Sequence, residues 1–204
     1  MAADLKVLFV TDPMCSWCWG MAADIERVRR SLGARVVFDL VMGGINTHGT
    51  QPVGAYGRSR ILSLWEAVAA TTGQPFGMTL PGSYVHNSTQ SCVAVEAVRQ
   101  ATGEAPFGYL HDLQERFCCE GEDVTDIAVL RDRAAAHGVA RSHFDALFSA
   151  PETLARVRFQ FDIARSFGTQ ALPSVLIEQD GDTRLLAGGY VSDEVLLEQL
   201  AGYL

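Results

Sequence analysis

The chain has 204 residues, 48% of them hydrophobic and 20% charged, which fits one folded unit with a sizeable core and excludes a disordered polymer. A formal net charge of −8 argues against nucleic acid or an anionic membrane surface as the partner. No uncharged stretch approaches the roughly 18 residues that a spanning helix needs, so no membrane association is expected.

Residues 1–6 carry no basic region, long apolar segment or small-residue cleavage site, which predicts a cytoplasmic protein or a trimmed chain. The five cysteines are odd in number and form no disulfide framework. Both features favour a reducing compartment.

The first predicted element is a buried strand over Leu5–Val10, broken by Thr11, Asp12 and Pro13. Cys15, Ser16, Trp17 and Cys18 follow at once, and Met21, Ile25, Val28 and Leu32 then recur at helical spacing up to a stop at Gly33. Residues 35–42, rich in Val, Phe and Leu, read as a second strand that ends at Gly43 and Gly44. Such a strand–helix–strand unit implies a right-handed crossover between two parallel strands.

Residues 46–167 read as helical, with segments at 58–72, 88–102, 106–117, 126–137, 142–148 and 151–167. The C-terminal end returns to strands. Residues 173–178 and 183–187 flank Asp180-Gly181, a strong two-residue hairpin signal, and Ser192 caps a last helix with Asp193 and Glu194 in its first turn. The expected architecture is α/β: a discontinuous domain of residues 1–45 and 168–204 holding an all-helical insertion of residues 46–167.

The cysteine pair carries the chemistry. A helix that begins on Cys15 offers unpaired N–H groups and the positive end of its dipole to a thiolate there, while Cys18 lies one turn further on. Ser16 adds a hydroxyl donor and Trp17 an indole face, but neither brings a cation, so the thiolate is stabilised less than it would be beside a histidine. The competing reading is half of a zinc site, which needs four ligands. His48, His86, His111, His137 and His143 supply no close pair, and adjacent Cys118 and Cys119 suit one tetrahedral ion poorly. Redox chemistry is the better fit.

The layout and motif residues resemble the DsbA-like branch of the thioredoxin superfamily, and within it the cytosolic FrnE-like protein-disulfide-isomerase group. The resemblance covers nearly the whole chain. It rests on the segment Asp12 to Gly20, on Met42-Gly43-Gly44, on the helix opened by Asn87-Ser88 and containing Cys92, and on Leu172-Pro173-Ser174. It implies a thioredoxin-like fold with a helical insertion and a cytoplasmic thiol–disulfide oxidoreductase. Cys15 would be the exposed nucleophile and Cys18 the buried resolving thiol. Pro173 would be a cis-proline, which an X-Pro bond adopts at little cost, leaving the backbone of Leu172 for an extended substrate. Met14, Ser16, Trp17, Leu172 and Pro173 are the expected substrate-binding residues. Protein or small-molecule disulfides and thiols, glutathione among them, are the expected partners, with no cofactor and no metal.

Other residues have two readings. Asp12 is a turn former before Pro13 or a proton carrier for Cys18, and Asp39 could instead be a buried carboxylate near Cys18. Trp19 either joins the apolar cluster around the thiol or packs the first helix onto the insertion. Cys92 is expected as a buried small hydrophobe, and Cys118 and Cys119 as structural filler with one thiol inward and one outward. His48 and His86 are expected as solvated loop residues. Two further functions compete: a kappa-class-like glutathione transferase or isomerase, and a redox-switched chaperone or binding module. Kappa-class enzymes typically hold a serine where Cys15 stands, which counts against the first.

Overall fold

A computed structural model describes residues 5–168 and 170–204. Strand β1 (Lys6–Thr11) leads through the cysteine turn into helix α1 (Ser16–Leu32), and a 3-10 turn at Gly33–Arg35 leads to β2 (Val37–Met42). Strands β3 (Ser174–Gln179) and β4 (Asp182–Gly188) close the sheet, and α8 (Asp193–Ala201) ends the chain. The strand order is β2-β1-β3-β4, with β1 parallel to β2, β3 antiparallel to β1, and β4 antiparallel to β3. The hairpin between β3 and β4 turns on Asp180 and Gly181, both at positive φ (54° and 83°), the backbone that a tight two-residue connection demands.

Strand alternation divides the apolar residues between two faces. Val7, Phe9, Leu40, Met42, Val175 and Ile177 join the main core, while Leu8, Val10, Val41 and Leu176 form a second, smaller cluster. Helix α7 (Pro151–Arg165) covers that second face, contributing Ile163 and Ala164. Between β2 and α7 the chain forms α2 (Ala55–Thr72), α3 (Thr89–Thr102), α4 (Phe107–Glu115), α5 (Ile127–Ala136) and α6 (Arg141–Phe148). Among the described residues no helix is long and apolar enough to cross a membrane.

The helical segments differ from expectation mainly at their ends. Helix α2 starts at Ala55 rather than residue 58, and the segment read as one helix over 106–117 is α4 followed by a π-helical turn at Arg116–Glu120. The widened turn puts Cys118 fully inside the core and leaves Cys119 half-buried. Ser88 occupies the N-cap position of α3, yet its hydroxyl makes no cap bond. Asn87 takes over, its Oδ1 accepting from the Thr89 N–H at 3.0 Å. The hydroxyl of Ser88 is used elsewhere, beneath the cysteines.

Candidate active site

Cys15 is the N-cap of α1, with extended backbone (φ −87°, ψ 115°). Its Sγ accepts from the Cys18 N–H at 3.3 Å and lies 3.8 Å from the carbonyl oxygen of Leu172, to which the thiol donates. The Leu172–Pro173 peptide bond is cis. Both cysteines are buried, Cys15 at 7% exposure and Cys18 at 1%, which corrects the expectation of an exposed Cys15: it is only the less buried of the two. Burial, the neighbouring Cys15 sulfur and the nearby Asp12 carboxyl all push the Cys18 thiol well up, which keeps it protonated at rest. Cys15, Cys18, Cys92, Cys118 and Cys119 are all free thiols.

The turn between β1 and α1 is held from below by Asp12, which is fully buried. Its Oδ1 accepts from the Met14 N–H at 2.8 Å, and its Oδ2 accepts from the Ser88 hydroxyl at 2.6 Å and the Gly44 N–H at 3.1 Å. The Cys92 thiol donates to the same oxygen at 3.5 Å. Burial raises the Asp12 pKa, and the bonds from Ser88, Met14, Cys92 and Gly44 offset part of that rise. From α4, the Gln114 amide donates to the Asp12 backbone oxygen at 3.2 Å. Asp12 is therefore a turn former, and in addition the hub joining the cysteine turn to β2 and α3.

The expected neighbours divide into two groups. Leu172 and Trp17 remain at the surface beside the cysteines, both half-buried, with the Trp17 ring 6.0 Å from that of Tyr190. Met14, Ser16 and Pro173 are buried at the same place. Trp19 points away into the insertion, where its indole N–H donates to the Pro75 carbonyl at 2.8 Å and its ring meets His111 edge-on at 5.3 Å. Of its two readings, packing α1 onto the insertion is the one adopted.

Two further expectations need correction, and a third is borne out with an addition. Asp39 does not approach Cys18: alternation along β2 turns Leu40 toward the cysteine face, and Asp39 pairs with Lys6 (3.2 Å) and with Arg99 on the other. His86 is not a solvated loop residue. Its ring lies 5.9 Å from those of Tyr84 and Phe117, and burial lowers its pKa. Cys92 is buried as expected, but it is also a hydrogen-bond donor to Asp12 rather than a plain hydrophobe.

Sequence reasoning missed Ser88, Gly44 and Gln114 as partners of the cysteine turn. Ser88 was read only as part of the opening of a helix, and nothing in its spacing from Asp12 joins residues 76 positions apart. Among the described residues, no group of three or more His, Cys, Asp or Glu is placed to hold a metal ion.

Comparison with known proteins bears on the family and the fold. The family model of the DSBA-like thioredoxin domain matches residues 6–204. A candidate protein disulfide isomerase from Nitrosomonas europaea is 30% identical, superimposes with a TM-score of 0.89, and the match covers 98% of this chain and 97% of that one. The cytosolic disulfide reductase DsbM from Pseudomonas aeruginosa is 24% identical with a TM-score of 0.77, over 97% of this chain and 94% of that one. Its structure with glutathione gives a TM-score of 0.74 at 23% identity, over 97% and 95% of the two chains. No protein of curated description matches in sequence. The chain belongs to the DSBA-like thioredoxin family and is a DsbA-like thiol–disulfide oxidoreductase.

Proposed function

We propose that this protein exchanges disulfides in the cytoplasm through Cys15 and Cys18, with Cys15 as nucleophile and Cys18 as resolving thiol. The observation that carries this reading is the placement of the Cys15 sulfur at the N-cap of α1, 3.3 Å from the Cys18 N–H and 3.8 Å from the Leu172 oxygen. The Cys15 thiolate attacks one sulfur of a substrate disulfide, a mixed disulfide forms, and the other sulfur leaves as a thiolate. Cys18 then gives up its proton, attacks the Cys15 sulfur and releases the second substrate thiol. The protein disulfide so formed has lost two electrons to the substrate, and a dithiol donor must restore it.

Trp17 and Leu172 offer the exposed apolar surface beside the sulfur. Met14, Ser16 and Pro173 support the wall behind it. A cytoplasmic setting is favoured by the odd, unframed cysteine complement; the P. aeruginosa protein that shares the fold is a cytosolic disulfide reductase.

The test is Cys18→Ser in living cells, followed by isolation of mixed disulfides on Cys15, with reductase assays of the unaltered protein alongside. Protein or glutathione adducts that vanish in Cys15→Ser are the expected result. No adducts and no reductase activity would overturn the reading.

A further inference from the structure

An open groove of about 580 Å³ is lined by Phe161 together with Thr47, His48, Thr89, Arg158, Asp162 and Arg165. A short series of contacts links its lining to the residues around the reactive sulfur. The Leu172 carbonyl receives the Cys15 thiol, and the Leu172 side chain rests on Gly43, where an added Cβ would come within 2.5 Å of it. Gly44, the next residue, lies against the Phe161 ring, and its carbonyl accepts from the Arg165 guanidinium at 3.3 Å.

The wall that carries Thr47 and His48 is tied down by side-chain amides. The Asn87 amide donates to the carbonyls of Thr47 (3.1 Å) and Gly49 (3.0 Å), and Asn46 donates to the His86 carbonyl at 2.9 Å. The groove also departs from the charge of the whole chain. In a protein of net charge −8 it gathers two arginines against one aspartate. Among the described residues Arg158 is exposed and has neither an ion-pair nor a hydrogen-bond partner.

We infer that this groove binds the carboxylate-bearing arm of a small disulfide, of which glutathione disulfide is the representative, and so sets which substrate Cys15 attacks. Its volume falls in the range of small-molecule sites, and arginine is the side chain best suited to grip a carboxylate through paired N–H donors. The inference rests on Cys15 being the attacking thiol. The step balances as a two-electron exchange: the Cys15–Cys18 dithiol is oxidised to a disulfide, and glutathione disulfide is reduced to two thiols.

The experiment follows oxidation of the pre-reduced protein by stopped-flow tryptophan fluorescence, using glutathione disulfide and the uncharged hydroxyethyl disulfide. The readout is the ratio of the two second-order rate constants. Arg158→Gln should lower that ratio about tenfold, the scale of one charge-assisted bond. Asp162→Asn should raise it, a direction that misfolding does not produce. High salt should compress the ratio in the unaltered protein.

A ratio unmoved by both substitutions would overturn the inference while leaving the proposed function standing. So would a peptide disulfide flanked by acidic residues whose rate depends on Arg158 when that of glutathione disulfide does not. Failure of the unaltered protein to react with any of these disulfides would overturn both.

Discussion

The Oδ2 atom of Asp12 and the hydroxyl of Ser88 meet at 2.6 Å, although 76 residues separate them in the chain. The contact ties the turn that presents Cys15 to the start of α3. It also leaves a carboxyl with no cationic partner among its bonded neighbours, held in the interior by donors alone.

Asp12→Asn should change how stability depends on pH. Because burial raises the folded-state pKa of Asp12, its ionisation opposes folding. The associated stability is fully present below the unfolded value near 3.8 and is lost as pH rises through the folded value. The amide never ionises. Denaturant unfolding should therefore show the variant gaining on the unaltered protein as pH rises from about 3.8, whatever its absolute stability. A difference independent of pH, or one falling with pH, would contradict this account. The same substitution removes a negative charge that raises the Cys18 thiol, so resolution of a Cys15 mixed disulfide should shift to lower pH.

Ser88→Ala removes a short bond to the carboxyl and the acceptor of the Ile45 N–H, which reaches the hydroxyl at 2.7 Å. A hydrogen bond to a charged group is worth about 1.5–3 kcal/mol, and equilibrium unfolding should record a loss of that size. The Ser88 bond lowers the Asp12 pKa, so its removal should raise that pKa further and steepen the decline of stability with pH.

Gly43→Ala should disturb the site through Leu172. The added Cβ would stand 2.5 Å and 2.6 Å from the two Leu172 methyl carbons, which must move to admit it. Because Leu172 is half-buried and its methyls can swing aside, the cost should fall at the low end of the about 1–3 kcal/mol of overpacking, with the Leu172 side chain beside Cys15 repositioned. Disulfide reductase activity should fall several-fold. The double variant with Leu172→Ala should recover part of the stability, and a thermodynamic cycle that is strictly additive would refute the coupling.

Thiol alkylation of the reduced, folded protein should be selective. Cys18, Cys92 and Cys118 are buried, with burial pushing each thiol upward, so they should resist iodoacetamide at neutral pH. Among the described cysteines, Cys15 and half-buried Cys119 are the least buried. Mass spectrometry should find modification at these two and at the other three only after unfolding.

Much of this was legible in the chain. Apolar runs and turn residues located β1, β2, β3 and β4, because strand patterning and a hairpin at Asp180-Gly181 are local properties. The cysteine spacing and Leu172-Pro173 marked where the chemistry lies, through resemblance as much as physics. What escaped is non-local. Asp39 resembled a partner for Cys18 until the parity of β2 assigned it to the face of Lys6. Ser88 read as the mere opening of a helix, and His86 as a solvated residue, because neither Asp12 nor Phe117 is near them in sequence. The π-helical turn at Arg116–Glu120 leaves no trace in apolar spacing that an α-helix would not also leave.

The contact between Cys15 and the Leu172 carbonyl spans 157 residues, more than three quarters of the 204-residue chain. During synthesis at about 5–20 residues per second, the two cysteines leave the ribosome about 8–30 s before the segment that completes their surroundings. For that interval the nascent polypeptide displays a dithiol that nothing yet screens, and any oxidant present meets it first. A truncated product ending before Leu172 keeps the thiols but lacks the carbonyl that receives the Cys15 thiol and the two strands that follow it.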